Sequence, residues 1–421
     1  MIMAMKESGI EWVGLIPDDW KIAKNNRLFN ISKQLVNENW KNTQLLSLTK
    51  SGIIEKNIND GGGKQPESFG TYQYVEKDDI VLCLFDIDVS AVFSDRSKYD
   101  GMISPAYRVM KCTDAILPVY AKWWFDAVNI GRYYLIYTKS LRKTIDADGF
   151  GNILTVVPPL SEQQAIANYL DETCSQIDEI IAEAKASIDE YRELKQSVIF
   201  ETVTTGLDKN VEMKDSTIEF ISSIPLNWKV CRIATIYEES KETGREDLPI
   251  LMVSINTGIS EYEVGDDQRI RKVTRSDDKS IYKVVHHNDL VYNMMRAWQG
   301  GFGAAQVDGL VSPAYVVATP KSDVDSRYIE ALLRTPIFTE KIHGLSYGVA
   351  DFRLRLYWTY FKELRICLPP IDEQREIANY IANESKKIDM LIKEKTVLIN
   401  DLEAYKKSLI YEVVTGKRRV V

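Results

Sequence analysis

The sequence predicts an α+β chain, α/β-like in its parts: two tandem globular domains related by pseudo-twofold symmetry and joined by two long antiparallel coiled-coil helices. Three observations carry this expectation. The chain repeats itself once; each copy opens with short β-rich runs broken by Gly, Asn and Asp turns; and each copy closes on a helix with a seven-residue apolar period.

The repeat is seen in three islands. Ile10-Glu11-Trp12-Val13-Gly14-Leu15-Ile16-Pro17-Asp18-Asp19-Trp20-Lys21 returns from Ile218 to Lys229, with six of twelve positions identical at a shift of 208. Asp100 to Tyr107 returns as Asp308 to Tyr315, six of eight at the same shift. Pro158 to Leu170 returns as Pro369 to Ile381, eight of thirteen, now shifted by 211, so three residues are gained between Tyr315 and Pro369. Between the islands the match fades: a shared scaffold carries different loops.

Within each copy the first 150 or so residues hold runs such as Ile80-Val81-Leu82-Cys83-Leu84-Phe85 and Ala314-Tyr315-Val316-Val317-Ala318, which read as buried strands. A Pro-Pro pair then breaks the strand. Ser161 or Asp372 is expected to supply an N-cap oxygen, with Gln164 completing a capping box in the first copy and Arg375 leaving it incomplete in the second. Past the cap, Leu170, Ile177, Ala184, Tyr191 and Val198 recur every seven residues, with Thr173, Ile180, Ser187 and Leu194 as the expected companion track. The second copy gives Ile381, Ile388, Lys395, Leu402 and Leu409 with Glu384, Leu391, Leu398 and Tyr405. Both helices are expected to stop at a glycine, Gly206 and Gly416. At ~1.5 Å per residue each would be about 60 to 65 Å long, and two such seams most economically pack on each other.

Composition narrows the class. With 421 residues, 45% hydrophobic and 27% charged, the chain is globular and long enough for two or three domains. Its start, MIMAMKESGIEW, lacks the apolar core of a signal peptide, and the apolar runs are too short to cross a bilayer, so the cytoplasm is the expected address. Five scattered cysteines with no C-x-x-C pair read as reduced thiols, and three histidines offer no metal-ligand spacing. The formal charge of −8 speaks mildly against a nucleic-acid binder. That acidity is local. Ser161 to Gly206 holds 3 basic against 10 acidic residues and Pro369 to Gly416 holds 7 against 9, which leaves the globular parts near neutral. A neutral domain can still bind DNA when its charges segregate onto one face.

Catalytic motifs are missing. Gly61-Gly62-Gly63-Lys64-Gln65 lacks the spaced first glycine and the following Ser or Thr of a phosphate loop and reads as a flexible loop. The Pro-Pro pairs lack the flanking residues of an amino-methyltransferase tetrapeptide, and Glu183-Ala184-Lys185 sits inside the heptads, where it reads as solvated surface. No nucleophile, base and orienter form a constellation. The Ser-Pro-Ala-Tyr segments have no accompanying histidine and read as strand starts with a buried tyrosine; Trp20 and Trp228 are assigned to structure.

The duplicated Gly9 to Trp20 start, the Pro-Pro-Leu-Ser-Glu-Gln-Gln helix start and the Val203-Thr204-Thr205-Gly206 exit together resemble the specificity subunit of Type I restriction-modification systems, over nearly the whole chain. The resemblance implies a target-recognition domain at 1–157, a helical conserved spacer at 158–206, a second target-recognition domain at 207–368 and a second spacer with a basic tail at 369–421. It further implies a non-catalytic subunit that reads a split double-stranded DNA target, one domain per half-site. The partners implied are two modification subunits that methylate adenine and, through them, the restriction subunits. S-adenosylmethionine, ATP and Mg would sit on those partners, none in this chain. The rival expectation is a coiled-coil scaffold for protein partners without DNA affinity.

Cations placed just before the last strand of each domain are candidates for base contact, because Arg and Lys can grip guanine O6 and N7: Arg142 and Lys143 in the first copy, Arg353 and Arg355 in the second. Phosphate contact is the competing role for each. Arg296 and Gln299 lie in the glycine-ended loop Asn293 to Gly301, and Tyr347 lies in the inserted region of the second domain. The counterpart loop Phe85 to Val89 is acidic, which would let the two domains prefer different sequences.

Overall fold

The computed structural model describes residues 4–420 apart from 59–67, 90–92, 139–142, 246, 256–257, 261–278 and 349–352. The glycine-lysine run at 61–65 lies outside the described residues. The chain divides into two compact units: Met1–Lys185 with Thr396–Val421, and Ala186–Lys395. No helix among the described residues is long and apolar enough to cross a membrane.

In the first copy β1 (Met5–Glu7) and β2 (Leu15–Pro17) form a hairpin, and β3 (Lys21–Lys24) leads through the single turn α1 (Asn25–Leu28) into β4 (Phe29–Ser32). Next come β5 (Leu45–Thr49), β6 (Gly52–Lys56), β7 (Gln73–Val75), β8 (Ile80–Leu82), β9 (Ser94–Arg96), β10 (Gly101–Ile103) and β11 (Arg108–Cys112). Two four-stranded sheets result, in the orders β6-β5-β10-β7 and β4-β11-β8-β9. Every residue of β8 is buried, as its unbroken apolar run requires. Helix α2 (Pro118–Ile130), with Pro at its first position, buries Tyr120, Trp124, Phe125 and Val128. The short α3 (Ala147–Asn152) is capped by Asp146, whose carboxylate accepts from the Gly149 amide at 2.6 Å, and β12 (Leu154–Val157) returns to pair antiparallel with β3.

The second copy repeats much of this plan. A hairpin of β13 (Met213–Ile218) and β14 (Ile221–Pro225) precedes β15 (Lys229–Arg232), α5 (Ile233–Ile236) and β16 (Tyr237–Ser240); the label α4 belongs to the long helix between the copies, Leu160–Thr205. The strands β17 (Met252–Ser254), β18 (Gly258–Ser260), β19 (Lys283–Val285), β20 (Leu290–Asn293), β21 (Phe302–Ala304), β22 (Gly309–Val311) and β23 (Tyr315–Pro320) follow. The sheet order β16-β23-β20-β21 matches β4-β11-β8-β9 strand for strand, but two two-stranded sheets, β17-β18 and β19-β22, stand where the first copy has the sheet β6-β5-β10-β7. Helices α6 (Ser326–Leu333), α7 (Pro336–Leu345) and α8 (Trp358–Phe361) lead to β24 (Arg365–Leu368), which pairs with β15 as β12 does with β3, and to the final helix α9 (Ile371–Val414). In the corresponding stretch the first copy has the 3-10 turn Tyr133–Tyr137 and the second has α7.

Long helices α4 and α9 pack together antiparallel. Lys406 pairs with Asp178 at 2.6 Å, and Lys195 with Asp389 at 2.8 Å: 17 residues further along α4 is 17 residues back along α9. The main track is as expected, with Leu170, Ile177 and Ala184 buried and Tyr191 and Val198 half-buried. The companion track is not. Ile180 and Leu194 are 45% and 49% exposed, whereas Cys174, Ile181 and Ile188 are buried. The same correction holds in α9, where Leu391, Leu398 and Tyr405 face outward and Ile399 and Val413 are buried. Residues three and four positions on share one helix face, so the period alone leaves both tracks open; the partner helix selects the second. Ile181→Glu should therefore cost about 3 kcal/mol by burying an unpaired charge, while Ile180→Glu stays within about 0.5 kcal/mol, as urea unfolding of the two variants would read.

The helix starts also differ from expectation. Pro159 already caps α4 through its carbonyl, accepting from the Glu162 and Gln163 amides, so Ser161 lies inside the first turn and Gln164 bonds Asn168 instead of a capping serine. The buried Gln163 takes over. Its side-chain amide donates to the Pro158 carbonyl at 2.8 Å and the Ala115 carbonyl at 3.1 Å, and its oxygen accepts from the Leu117 amide at 2.7 Å, just before α2. Gln374, 211 residues on, donates to the Pro369 carbonyl at 2.8 Å and accepts from the Asp325 amide at 3.0 Å, just before α6.

Helix ends are held reciprocally. The Tyr120 hydroxyl lies 3.1 Å from the carbonyl of Val156 and 3.3 Å from that of Val414, the end of α9. The Tyr328 hydroxyl lies 3.0 Å from the carbonyl of Cys367 and 3.1 Å from that of Val203, the end of α4. Each globular part thus grips the start of its own helix and the end of the other's. Gly206 and Gly416 stop the helices at positive φ, +79° and +73°. Trp20 and Trp228 are fully buried beneath these joints. Trp20 donates to Glu162 at 2.9 Å, and Arg419 of the basic tail reaches the same carboxylate at 2.7 Å and Asp19 at 2.6 Å.

Candidate nucleic-acid interface

In the second copy, β20 runs into a turn that closes on itself. The Arg296 amide donates to the Asn293 carbonyl and the Gly301 amide to the Arg296 carbonyl, at 3.0 and 2.9 Å, and Gly300 takes the left-handed conformation at φ +84°. A Cβ on Gly301 would stand 2.8 Å from the Arg296 carbonyl oxygen, so both glycines are demanded by the turn. Arg296 donates to the Gln299 side-chain oxygen at 2.8 Å, which pairs the two expected base readers with each other. Trp298 is the turn's anchor: its indole N–H donates to the Met295 carbonyl at 3.1 Å and its ring meets His343 of α7 edge-on at 5.3 Å.

A second segment lies against this turn. The Leu356 amide donates to the Met294 carbonyl at 2.9 Å, and Tyr347 and Arg355 exchange two backbone bonds of 3.0 Å. Between them the side chains alternate, with Arg353, Arg355 and Tyr357 exposed and Leu354 and Leu356 buried. Tyr347 is 72% exposed, which rules out a core role. The structure therefore brings Arg296, Gln299, Tyr347 and Arg355 together through backbone bonds, with Arg353 two residues from Arg355 on the same outward side. Tyr357 and Tyr360, both exposed, were not singled out from sequence; the period-two run Arg353-Leu354-Arg355-Leu356-Tyr357 is the signal that points to the first of them.

The first copy has the same joint with different chemistry. The Ile145 amide donates to the Leu84 carbonyl at 2.9 Å, in the place of the Leu356–Met294 bond, and the Ile87 amide reaches the Lys143 carbonyl at 3.3 Å. Lys143 is exposed at φ +46°; Arg142 lies outside the described residues. The loop Phe85 to Val89 carries Asp86 and Asp88 where its counterpart carries Arg296 and Gln299. Arg132, unnoticed in the sequence, holds this loop by donating to the Ile87 carbonyl at 2.8 Å.

The thiols take no part in any of this. All five cysteines are free, and burial pushes Cys174 up to about 11 and Cys112 and Cys367 up to about 12, so these three stay protonated at neutral pH. The Ser-Pro-Ala-Tyr tyrosines, Tyr107 and Tyr315, are half-buried against the strand cores, less enclosed than the sequence suggests.

No family model matches the chain. A curated relative, the specificity subunit of the Type I restriction enzyme MjaVIII of Methanocaldococcus jannaschii, is 24% identical over 318 residues, 68% of this chain and 70% of the relative. A solved chain from a study of complex assembly and conformational transition of the type I R-M system superposes at a TM-score of 0.67, with 12% identity over 96% of this chain and 99% of that one. The HsdS subunit from Thermoanaerobacter tengcongensis gives 0.53, with 13% identity over 96% and 98%. The fold is that of a Type I specificity subunit. On this fold the sheet β4-β11-β8-β9 recurs as β16-β23-β20-β21, while the loops that follow β8 and β20 differ between the copies.

Proposed function

We propose that the chain is the DNA-recognition subunit of a Type I restriction-modification complex. It reads a bipartite double-stranded target, one globular part per half-site, and performs no reaction itself. Two adenine-methylating subunits dock on it, and the restriction subunits join through them; S-adenosylmethionine, ATP and Mg belong to those partners. The observation that carries this reading is the pairing of two copies of one scaffold with two chemically different loop clusters, Arg296, Gln299, Tyr347 and Arg355 in one and Asp86, Asp88 and Lys143 in the other. A duplicated reader needs one frame and two dissimilar reading surfaces. The likeness to a curated specificity subunit over two thirds of both chains supports it.

The test is modification-detecting long-read sequencing of DNA from cells that express the chain with its neighbouring methylating subunit, against cells without the chain. Methyl-adenine in a motif of two short half-sites that depends on the chain is the expected result. An isolable complex with no chain-dependent motif would overturn the DNA reading in favour of a protein-interaction scaffold.

A further inference from the structure

A groove of about 600 Å³ runs along β4, the outer strand of the sheet β4-β11-β8-β9. Its walls are β4 with the residues around it, the start of β11, and α3, whose Ala147 and Phe150 face it. The polar residues lining it are of one kind. Asn25, Asn26, Asn30 and Gln73 supply carboxamides, Ser32 a hydroxyl, and Lys33 and Arg108 the charges; among the described residues no carboxylate lines it. Asn26, Asn30 and Lys33 are exposed, and neither Lys33 nor Arg108 enters an ion pair among the described residues. Asn25 and Gln73, by contrast, are buried and spent, Asn25 accepting from Thr155 at 2.6 Å and Gln73 donating to the Ser104 and Tyr107 carbonyls at 3.3 and 3.0 Å.

The α3 wall of the groove follows directly on the segment that ties the first copy's acidic loop. Tyr107, next to Arg108, packs its ring 6.0 Å from Phe85 at the head of the acidic loop. Lys143 and Ile145, which tie that loop, run directly into α3. In the second copy the equivalent strand β16 reads Tyr237-Glu238-Glu239-Ser240 and is followed by Lys241 in the place of Lys33, but Val316 stands where Arg108 does and Ala234 where Asn26 does.

Two unpaired cations beside a row of carboxamides, with no acid among them, suit the edge of a nucleic-acid duplex: cations neutralise phosphates, and Asn can bond adenine N6 and N7 together. We propose, resting on the DNA-reading function above, that the β4 groove is part of the first half-site's reading surface, with Lys33 and Arg108 on the phosphates and Asn26 on a base edge. The second globular part lacks the counterparts of Asn26 and Arg108, so the effect is confined to one half of the target.

Two measurements on the full chain with its methylating partner test this. Binding of duplex DNA carrying the wild-type motif is followed against salt: Lys33→Ala with Arg108→Gln should lower the slope of log affinity against log salt by about two, roughly one for each phosphate no longer neutralised. Asn26→Ala should relax the methylated motif at one position of the first half-site, with discrimination there falling ~5- to 150-fold and the second half-site unchanged. That unchanged half shows that the complex still assembles. Should the double variant melt below wild type, Lys33→Ala alone, an exposed change, should still lower the slope by about one. An unaltered slope and an unaltered motif in folded variants would overturn the groove assignment while leaving the DNA-reading function intact. Absence of any motif with the wild-type chain would overturn both.

Discussion

Replacing Gln374 by Leu lowers the stability of the second unit by about 3 kcal/mol, because two buried backbone groups lose their only side-chain partner and cannot reach water. The groups are the Asp325 amide, at the N-cap of α6, and the Pro369 carbonyl, before α9. Gln374 itself is 1% exposed, so no solvent takes its place. The change is read by hydrogen exchange: amides of residues 186–395 lose protection while those of the first unit keep theirs. Gln163→Leu should do the same to the first unit, where three backbone groups are left without a partner. If both variants exchanged like wild type, the clasp would be ornamental and the helix starts held by apolar packing alone.

The second large effect is on recognition. Arg355→Ala, or Arg353→Ala beside it, should weaken or relax only the half-site read by the second globular part. A bidentate guanine contact is worth about 1–3 kcal/mol of discrimination, or ~5- to 150-fold at one base pair. Methylation mapping reads this as one position of the motif becoming degenerate, with the other half intact. Equal weakening of both halves would contradict one domain per half-site. A drop in overall affinity with an unchanged motif would assign the arginines to phosphates.

What could be read from residues alone follows their regularity. The repeat was legible because Trp20 and Trp228, the Pro-Pro breaks and the helix-start glutamines recur at fixed shifts, and each turns out to hold a joint. The main seam, Leu170 to Val198, was legible because it recurs every seven residues. Its companion was not, since Ile180 and Ile181 are neighbours of equal hydrophobicity and only the facing helix distinguishes them. Ser161 was overruled by Pro159, whose carbonyl begins the helix two residues earlier than a serine cap would. The reading surface was legible only in part. Arg296, Gln299, Tyr347 and Arg355 lie far apart in sequence, and it is the backbone bonds from Met294 to Leu356 and from Tyr347 to Arg355 that gather them. The β4 groove had no sequence signal, because carboxamides scattered from Asn25 to Gln73 look like any polar loop until a sheet aligns them.

The reciprocal grip on the helix ends has a consequence in time. The Tyr120 hydroxyl waits for the carbonyl of Val414, 294 residues later in the chain. At ~5–20 residues per second of synthesis, that is a delay of roughly 15–60 s during which the first globular part exists without its last strut. The second unit takes all its residues from one stretch, Ala186 to Lys395. The part that is made first is therefore complete only once α9 has been made.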